Sequence, residues 1–278
     1  MPPTSFATLR EILDREVRVE IVDIGSNPID GDPPYKTLLA GGAAGLVGFD
    51  PNLDALAQLE KNKGPNEVYL PHAVADGKQH TLRICHAAGM TSLLQPNPEV
   101  LELFHGFSEW GRVIREEKVD TVRLDDVAAI RRMDYLKIDI QGGELMVFQN
   151  AVARLADCVV IQTEVEFLPM YVGQPLFSDV DQFLRQQGFV LHRFHPLISR
   201  TLKPMVINND IYAGLSQLFW ADAIFVRDFT NLATLDDRQL LVMAVVMHDV
   251  YKAFDLVLRL LLEHDKRHNT QLGAKYMA

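Results

Sequence analysis

Cysteine is scarce: the 278 residues contain two, Cys85 and Cys158. They are distant in sequence and sit in apolar, strand-like stretches, so the expectation is two buried, reduced thiols in a cytoplasmic protein and no disulfide framework. Positive charge is in short supply as well. Lys and Arg number 27 against 37 Asp and Glu, and the formal net charge is −10. This balance opposes nucleic acid or an anionic membrane surface as partner, since both select a basic face. No window reaches the roughly 18 apolar residues of a membrane span. Met1 to Arg10 has neither a basic nor an apolar segment of the export type, so no export signal or anchor is expected. The histidines at 72, 86, 105, 192 and 195 show no metal-ligand spacing; His72 and His86 are minor candidates for a base, and no metal site is expected. Glycine is missing where a dinucleotide site needs it. Asn27 and Asp30 occupy the later glycine positions of G-x-G-x-x-G and Gly31 comes late, which disfavours a dinucleotide-dependent oxidoreductase.

What is present is an ordinary globular composition, 48% apolar and 23% charged, sufficient for a full core in one large domain with an appendage. Two short apolar runs stand out: Val19 to Ile24, running into Gly25-Ser26-Asn27, and Leu46 to Phe49, running into Asp50-Pro51. Each reads as a buried strand entering a loop. In an open parallel sheet the ligand lies at the carboxyl ends of the strands, and an acid about 20 residues beyond a Gly-containing turn takes ribose hydroxyls. A nucleoside is the expected ligand.

A helix is predicted over 4–16, capped by Thr4 or Ser5 with Phe6, Leu9, Ile12 and Leu13 on one face. The Pro-rich loop 28–34 delays the next helix to about Tyr35. Asn52 caps a helix to about Lys61. Strands are predicted at Glu67 to Val74, Gln79 to Cys85 and Val119 to Leu124, with a short helix from Asp125 to Arg132. Residues 86–118 are irregular and read as a lid or substrate wall. Tyr135 to Ile140 is a buried strand ending in Asp139, followed by Gly142-Gly143 and a helix from Glu144 to Leu155. The strand from Cys158 to Phe167 carries Glu164 and Glu166 on one side. Ser178 to Asp181 opens a helix to Gln187, and Phe189 to Phe194 and Asp222 to Asp228 are the last strands. The alternation predicts a doubly wound α/β sheet, with an antiparallel strand near its end. From Thr234 to about Asp265 an apolar stripe at helical spacing predicts one long helix or two bent near Asp249–Asp255. A stripe this apolar must pack onto the domain or onto a second copy of the chain.

The motifs VDIGSNPID (22–30), GFDP (48–51), AVADG (73–77), GMTSLL (89–94), VRLDDV (122–127), LKIDIQGGE (136–144) and QTEVEF (162–167) resemble those of the FkbM family of S-adenosylmethionine-dependent methyltransferases. The resemblance spans roughly residues 17 to 230. Two positions depart from the family pattern: Pro28-Ile29 replaces the end of the first loop, where Gly is usual, and Gln141 replaces an acid. The resemblance implies a Rossmann-like, class I methyltransferase sheet of about seven strands over 1–230, a C-terminal helical extension over 231–278, and S-adenosylmethionine as cofactor. It also implies methyl transfer to a hydroxyl of a saccharide or secondary metabolite. The sulfonium methyl is already activated, so the protein needs only to align the reactants and exclude water.

The expected cofactor residues are Asp23, Gly25, Ser26, Asn27, Asp50, Pro51, Val74, Asp76 and Asp139, with Asp50 on the ribose and Asp76 on the adenine. Asp23 fits equally well as a support of its own loop, and Asp76 as an ordinary turn residue. Asp139 and Glu164 are the expected catalytic pair, one accepting the acceptor's proton and the other orienting it, in preference to the two holding a divalent cation that acidifies the acceptor hydroxyl. Glu144 fits a helix start. The expected partner is a small-molecule or glycan acceptor, with a homodimer through the C-terminal helices as a further expectation. The competing reading is a non-catalytic nucleoside-binding or scaffold protein that keeps the fold.

Overall fold

The computed structural model describes residues 9–13, 16–27 and 31–278. Thr4, Ser5 and Phe6 of the first expected helix, and Pro28, Ile29 and Asp30 of the first loop, lie outside the described residues; the helix is present over Leu9–Ile12.

Ten strands are described: β1 (Val19–Ile24), β2 (Ala44–Phe49), β3 (Glu67–Leu70), β4 (Ala73–Val74), β5 (Gln79–Cys85), β6 (Val113–Val122), β7 (Tyr135–Ile138), β8 (Val160–Glu166), β9 (Phe189–Ser199) and β10 (Leu218–Arg227). Seven form one sheet in the order β3-β2-β1-β7-β8-β10-β9. The first five are parallel neighbours, and β10 runs antiparallel to both β8 and β9. Strand order reverses between β1 and β7, so their carboxyl ends flank the crevice that open α/β sheets use for ligands. The expected antiparallel strand near the end is β10.

The period-2 alternation of side chains divides the central strands between two cores. Val19, Ile21, Leu46, Tyr135 and Val160 pack on one face; Val22, Ile24, Phe49, Leu136, Ile138 and Ile161 pack on the other. The first face is covered by the chain's own C-terminal helices, Asp237–Asp249, Phe254–His268 and Leu272–Met277. Residues 240 to 247 are all buried there. Asp236 and Gln239 close a reciprocal capping box, with Gln239 N donating to Asp236 Oδ1 at 2.7 Å and Asp236 N to Gln239 Oε1 at 3.0 Å. The bend comes where expected, between Asp249 and Phe254, with Lys252 at φ 55°. Because the stripe is buried against its own sheet, the patch argument for a homodimer through these helices no longer holds.

Several boundaries differ from expectation. The strand foreseen over 67–74 is two strands, since Pro71 supplies no N–H for a ladder and β4 joins a separate small sheet, β4-β6-β5. β6 starts at Val113, not Val119; its REEK run is exposed, so it lacks the apolar alternation of a half-buried strand. Only a 3₁₀ turn, Leu124–Asp126, stands where a helix to Arg132 was expected. The helix predicted from Glu144 to Leu155 is two, Glu144–Gln149 and Val152–Asp157. The helix before β9 is Phe177–Gln186, and Asp179 rather than Ser178 serves its start by accepting the N–H of Leu176 at 2.8 Å. β9 and β10 are both longer than predicted, β9 running on to Ser199 and β10 beginning at Leu218.

Candidate functional site

A cleft of about 2080 Å³ opens along the carboxyl ends of β1, β2, β7 and β8. Strands β5 and β6 and the 86–93 segment form one wall, and His195, Pro196, Arg200, Tyr212 and Trp220 form another. The segment read as a lid or wall thus does contribute to the cleft, anchored by a third core in which Met90, Phe104 and Phe107 pack with Tyr171 and Phe219.

The first loop is built by backbone proximity. Gly25 has φ +84°, and a Cβ there would lie 2.1 Å from the Asp139 carbonyl oxygen, so only glycine lets the end of β1 lie against the end of β7. Both Gly25 N and Ser26 N donate to Phe49 O at 3.0 Å, while Ser26 Oγ donates to Asp23 O and accepts Phe49 N. These bonds tie the β1 loop to the β2 loop. Asp23 is buried, accepts the Tyr35 hydroxyl through Oδ2, and has Lys137 Nζ at 3.7 Å from Oδ1. Desolvation raises its pKa, against the pull of Lys137 and Tyr35. Among the described residues its carboxylate is held by Tyr35 and Lys137 and not by the backbone of its own loop, and Asp23 lines the cleft.

Asp50 is buried and lines the cleft. Its Oδ1 accepts Asn52 N at 2.7 Å, leaving Oδ2 for a ligand, and burial raises its pKa. Asn52 in turn caps the helix Leu53–Asn62 by accepting Asp54 N and Ala55 N. Gly25, Ser26, Asn27, Pro51 and Val74 line the same cleft. Asp76 is placed differently: it is outside the cleft lining, with Oδ1 2.7 Å from His80 Nε2 and Oδ2 3.0 Å from Lys78 Nζ. Those partners hold its pKa well below the carboxylate range.

At the reaction edge one side chain joins the two expected acids. Gln141 Nε2 donates to Asp139 Oδ1 at 2.9 Å and to Glu164 Oε2 at 2.7 Å, and Gln141 Oε1 accepts the Tyr171 hydroxyl at 3.2 Å. Gln141 adopts φ 60°, a left-handed conformation that turns its side chain back over the strand ends. In sequence Gln141 stands out only as a departure from the family pattern, and the Gly142-Gly143 pair beside it is the signal of the turn.

Glu144 and Glu166 complete a buried acidic group. Glu144 Oε1 accepts Ile140 N at 2.9 Å, and desolvation pushes its pKa up to about 7. Glu164 and Glu166 are raised well above the carboxylate range, chiefly by desolvation and then by neighbouring acids. Asp139, Glu144 and Glu164 each present an oxygen within 4.8 Å of the others, a spacing that could hold a cation. The histidine spacing predicts no metal site; the three carboxylates come together only because Glu144 starts the helix after Asp139. His72 and His86 line the cleft too; His86 lies 3.4 Å from Glu109.

Such an arrangement, a glycine-dependent loop, a ribose-competent acid and a linked carboxylate pair along one sheet edge, suits a nucleoside cofactor with a proton-accepting centre beside it. Among solved structures the chain is similar to a precorrin-6y C5,15-methyltransferase from Geobacter metallireducens, with 12% identity, 79% of this chain and 85% of that chain covered, and a TM-score of 0.36. It is also similar to a 16S rRNA adenine N1-methyltransferase from Catenulisporales acidiphilia with cosubstrate SAM, with 12% identity, 76% and 87% covered and a TM-score of 0.37. A third is LepI in complex with SAM, with 11% identity, 82% and 49% covered and a TM-score of 0.35. No curated protein matches the chain. The methyltransferase FkbM domain model matches residues 23–191, more than half of the chain, from the end of β1 through β2, β7 and β8. The protein belongs to the FkbM family of S-adenosylmethionine-dependent methyltransferases and has their Rossmann-like class I sheet.

Proposed function

We propose that the protein is an O-methyltransferase whose acceptor is a hydroxyl of a saccharide or secondary metabolite, with Asp139 accepting the proton. The observation that carries this reading is the Gln141 amide holding Asp139 and Glu164 together at the sheet edge, beside the loop that Gly25 brings against Asp139. S-adenosylmethionine supplies an activated methyl group, and the chain's own residues do the rest. Asp50 offers its free oxygen to the ribose, Gly25, Ser26 and Asn27 admit the amino-acid part, and Pro51 and Val74 flank the nucleoside. Asp139 takes the proton as the acceptor oxygen becomes nucleophilic, and Glu164, by accepting Gln141 Nε2, fixes the amide that orients Asp139. Asp76, engaged with His80 and Lys78, has no part in this assignment.

In the favoured version the Gln141 amide, not a cation, links the acids. Residues 1–230 then form the methyltransferase domain and 231–278 a helical extension seated on it. The two buried thiols, Cys85 and Cys158, support a reducing, cytoplasmic setting.

The deciding experiment is methyl transfer by the Asp139→Asn variant, with and without a chelator. The substitution preserves shape and removes the charge, so turnover should fall by about 10²–10⁴ while cofactor affinity changes little. Full activity would remove Asp139 from the chemistry. Loss of parent activity on chelation would replace the metal-free version with one in which Asp139, Glu144 and Glu164 hold a cation.

A further inference from the structure

Arg200 is a cation in the cleft wall that closes no ion pair within the described residues. Its guanidinium lies over the Trp220 ring, with Cζ 4.5 Å from the centroid. Nη1 donates to Ser199 O at 3.0 Å, whereas Nε is buried and makes no hydrogen bond. Asp210 and Tyr212 act on the guanidinium electrostatically, yet neither closes to ion-pair distance, and desolvation lowers the Arg200 pKa. A half-buried guanidinium with an unfilled donor costs free energy, because it gives up water without gaining a partner.

The backbone around Arg200 is fixed. Arg200 N donates to Gln217 O at 3.0 Å, and Thr201 donates from N and from Oγ1 to Ala213 O at 3.2 and 2.8 Å. Gly214 packs so closely that a Cβ there would lie 2.0 Å from Ser199 Oγ. The side chain is therefore delivered by a braced hairpin continuation, not by a free surface loop.

Its position relative to the acids follows from strand register. Trp220 pairs with Glu166 and Asp222 with Glu164 across β10 and β8. Arg200 thus lies over a residue one same-face step along β10 from Asp222, the partner of Glu164, which is joined to Asp139 through Gln141. Arg200, Trp220, Asp222 and Glu164 all line the cleft.

Resting on the methyltransferase reading above, we propose that the acceptor carries an anionic group, a carboxylate or a phosphate, apart from the hydroxyl that is methylated, and that Arg200 reads it. The planar donors of a guanidinium are suited to a two-oxygen anion. The Asp139 carboxylate, the proposed proton acceptor, repels the same anion, so the two features together set the direction in which the acceptor enters.

Both tryptophans of the chain, Trp110 and Trp220, line the cleft, so intrinsic fluorescence reports binding without any need for turnover. The test titrates glucose, glucuronate and glucose 6-phosphate into the full-length protein and into Arg200→Met and Arg200→Lys variants, with S-adenosylmethionine affinity measured in parallel. Glucuronate or glucose 6-phosphate should perturb the parent fluorescence at concentrations at least about tenfold lower than glucose, and which of the two does so identifies the anion. Arg200→Met should erase that preference, Arg200→Lys should keep part of it, and cofactor affinity should be unchanged. Equal response to glucose and both anions in the parent, or an undiminished preference in Arg200→Met, overturns the proposal. Failure of S-adenosylmethionine to bind the parent would instead overturn the functional reading on which it rests.

Discussion

At the scale of single residues, the site divides side chains whose charge is used from those whose charge is suppressed. Asp50 is of the first kind: one oxygen is held by Asn52 N and the other faces the cleft. Asp50→Ala should weaken S-adenosylmethionine binding by about 1.5–3 kcal/mol while folding survives. Calorimetry that finds parent-like affinity in a normally melting variant would reject the ribose assignment. Glu144 is of the second kind, and its burial has a pH consequence. Its folded pKa of about 7 lies above the unfolded 4.5, so the folded state holds the proton more tightly. The stability this confers is fully present below about pH 4.5 and is lost as pH rises through about 7. Glu164, raised in the same sense, acts in the same direction. The melting midpoint of the parent should therefore fall across this range, and Glu144→Gln, which retains an acceptor for Ile140 N, should flatten the fall. A parent midpoint that rises steadily over the same interval would contradict the assignment.

At the scale of elements, the helix Asp237–Asp249 is clipped to the sheet by one buried carboxylate. Asp134, fully buried at the start of β7, receives Arg238 Nη1 and Nη2 at 2.5 and 2.6 Å and Glu20 N at 2.8 Å. Removing the guanidinium leaves a buried charge with only backbone donors, which is more costly than losing an exposed pair. Arg238 is itself 36% exposed, so the expected loss for Arg238→Ala is about 2–3 kcal/mol, below the fully buried case. A urea midpoint unchanged from the parent would show that the clip contributes nothing. A second link runs from the extension toward the cleft: the Tyr135 and Tyr251 hydroxyls meet at 2.6 Å, Tyr251 donates to Gln162 at 2.7 Å, and Gln162 donates to Asp222 at 2.6 Å. The bend between the helices thus holds a side chain that reaches the floor of the site.

At the scale of the whole molecule, the C-terminal helices act as one wall of the core. They cover Val19, Ile21, Leu46 and Tyr135, a sheet face that would otherwise be a large apolar patch. Deleting residues 234–278 should abolish cooperative unfolding or solubility; a truncated protein that melts as the parent does would make the extension a dispensable appendage. The positions of β1, β2, β7 and β8, the Asn52 cap and the C-terminal bend were legible from residue order, because apolar periodicity, capping and glycine placement act within a few residues. The family likewise followed from motifs such as LKIDIQGGE. Contacts between distant segments could not be read that way. The first half of β6, Val113 to Lys118, has no apolar alternation to mark it, and the diversion of Ala73–Val74 into a second sheet depends on a partner near residue 121. The engagement of Asp76 by His80, the bridging of Asp139 and Glu164 by Gln141, and the bracing of Arg200 over Trp220 all required the assembled tertiary structure. Sequence order decided which acids reach the sheet edge; which of them are linked, buried or left facing the cleft was decided by packing, because desolvation and hydrogen-bond partners come from segments far apart in the chain.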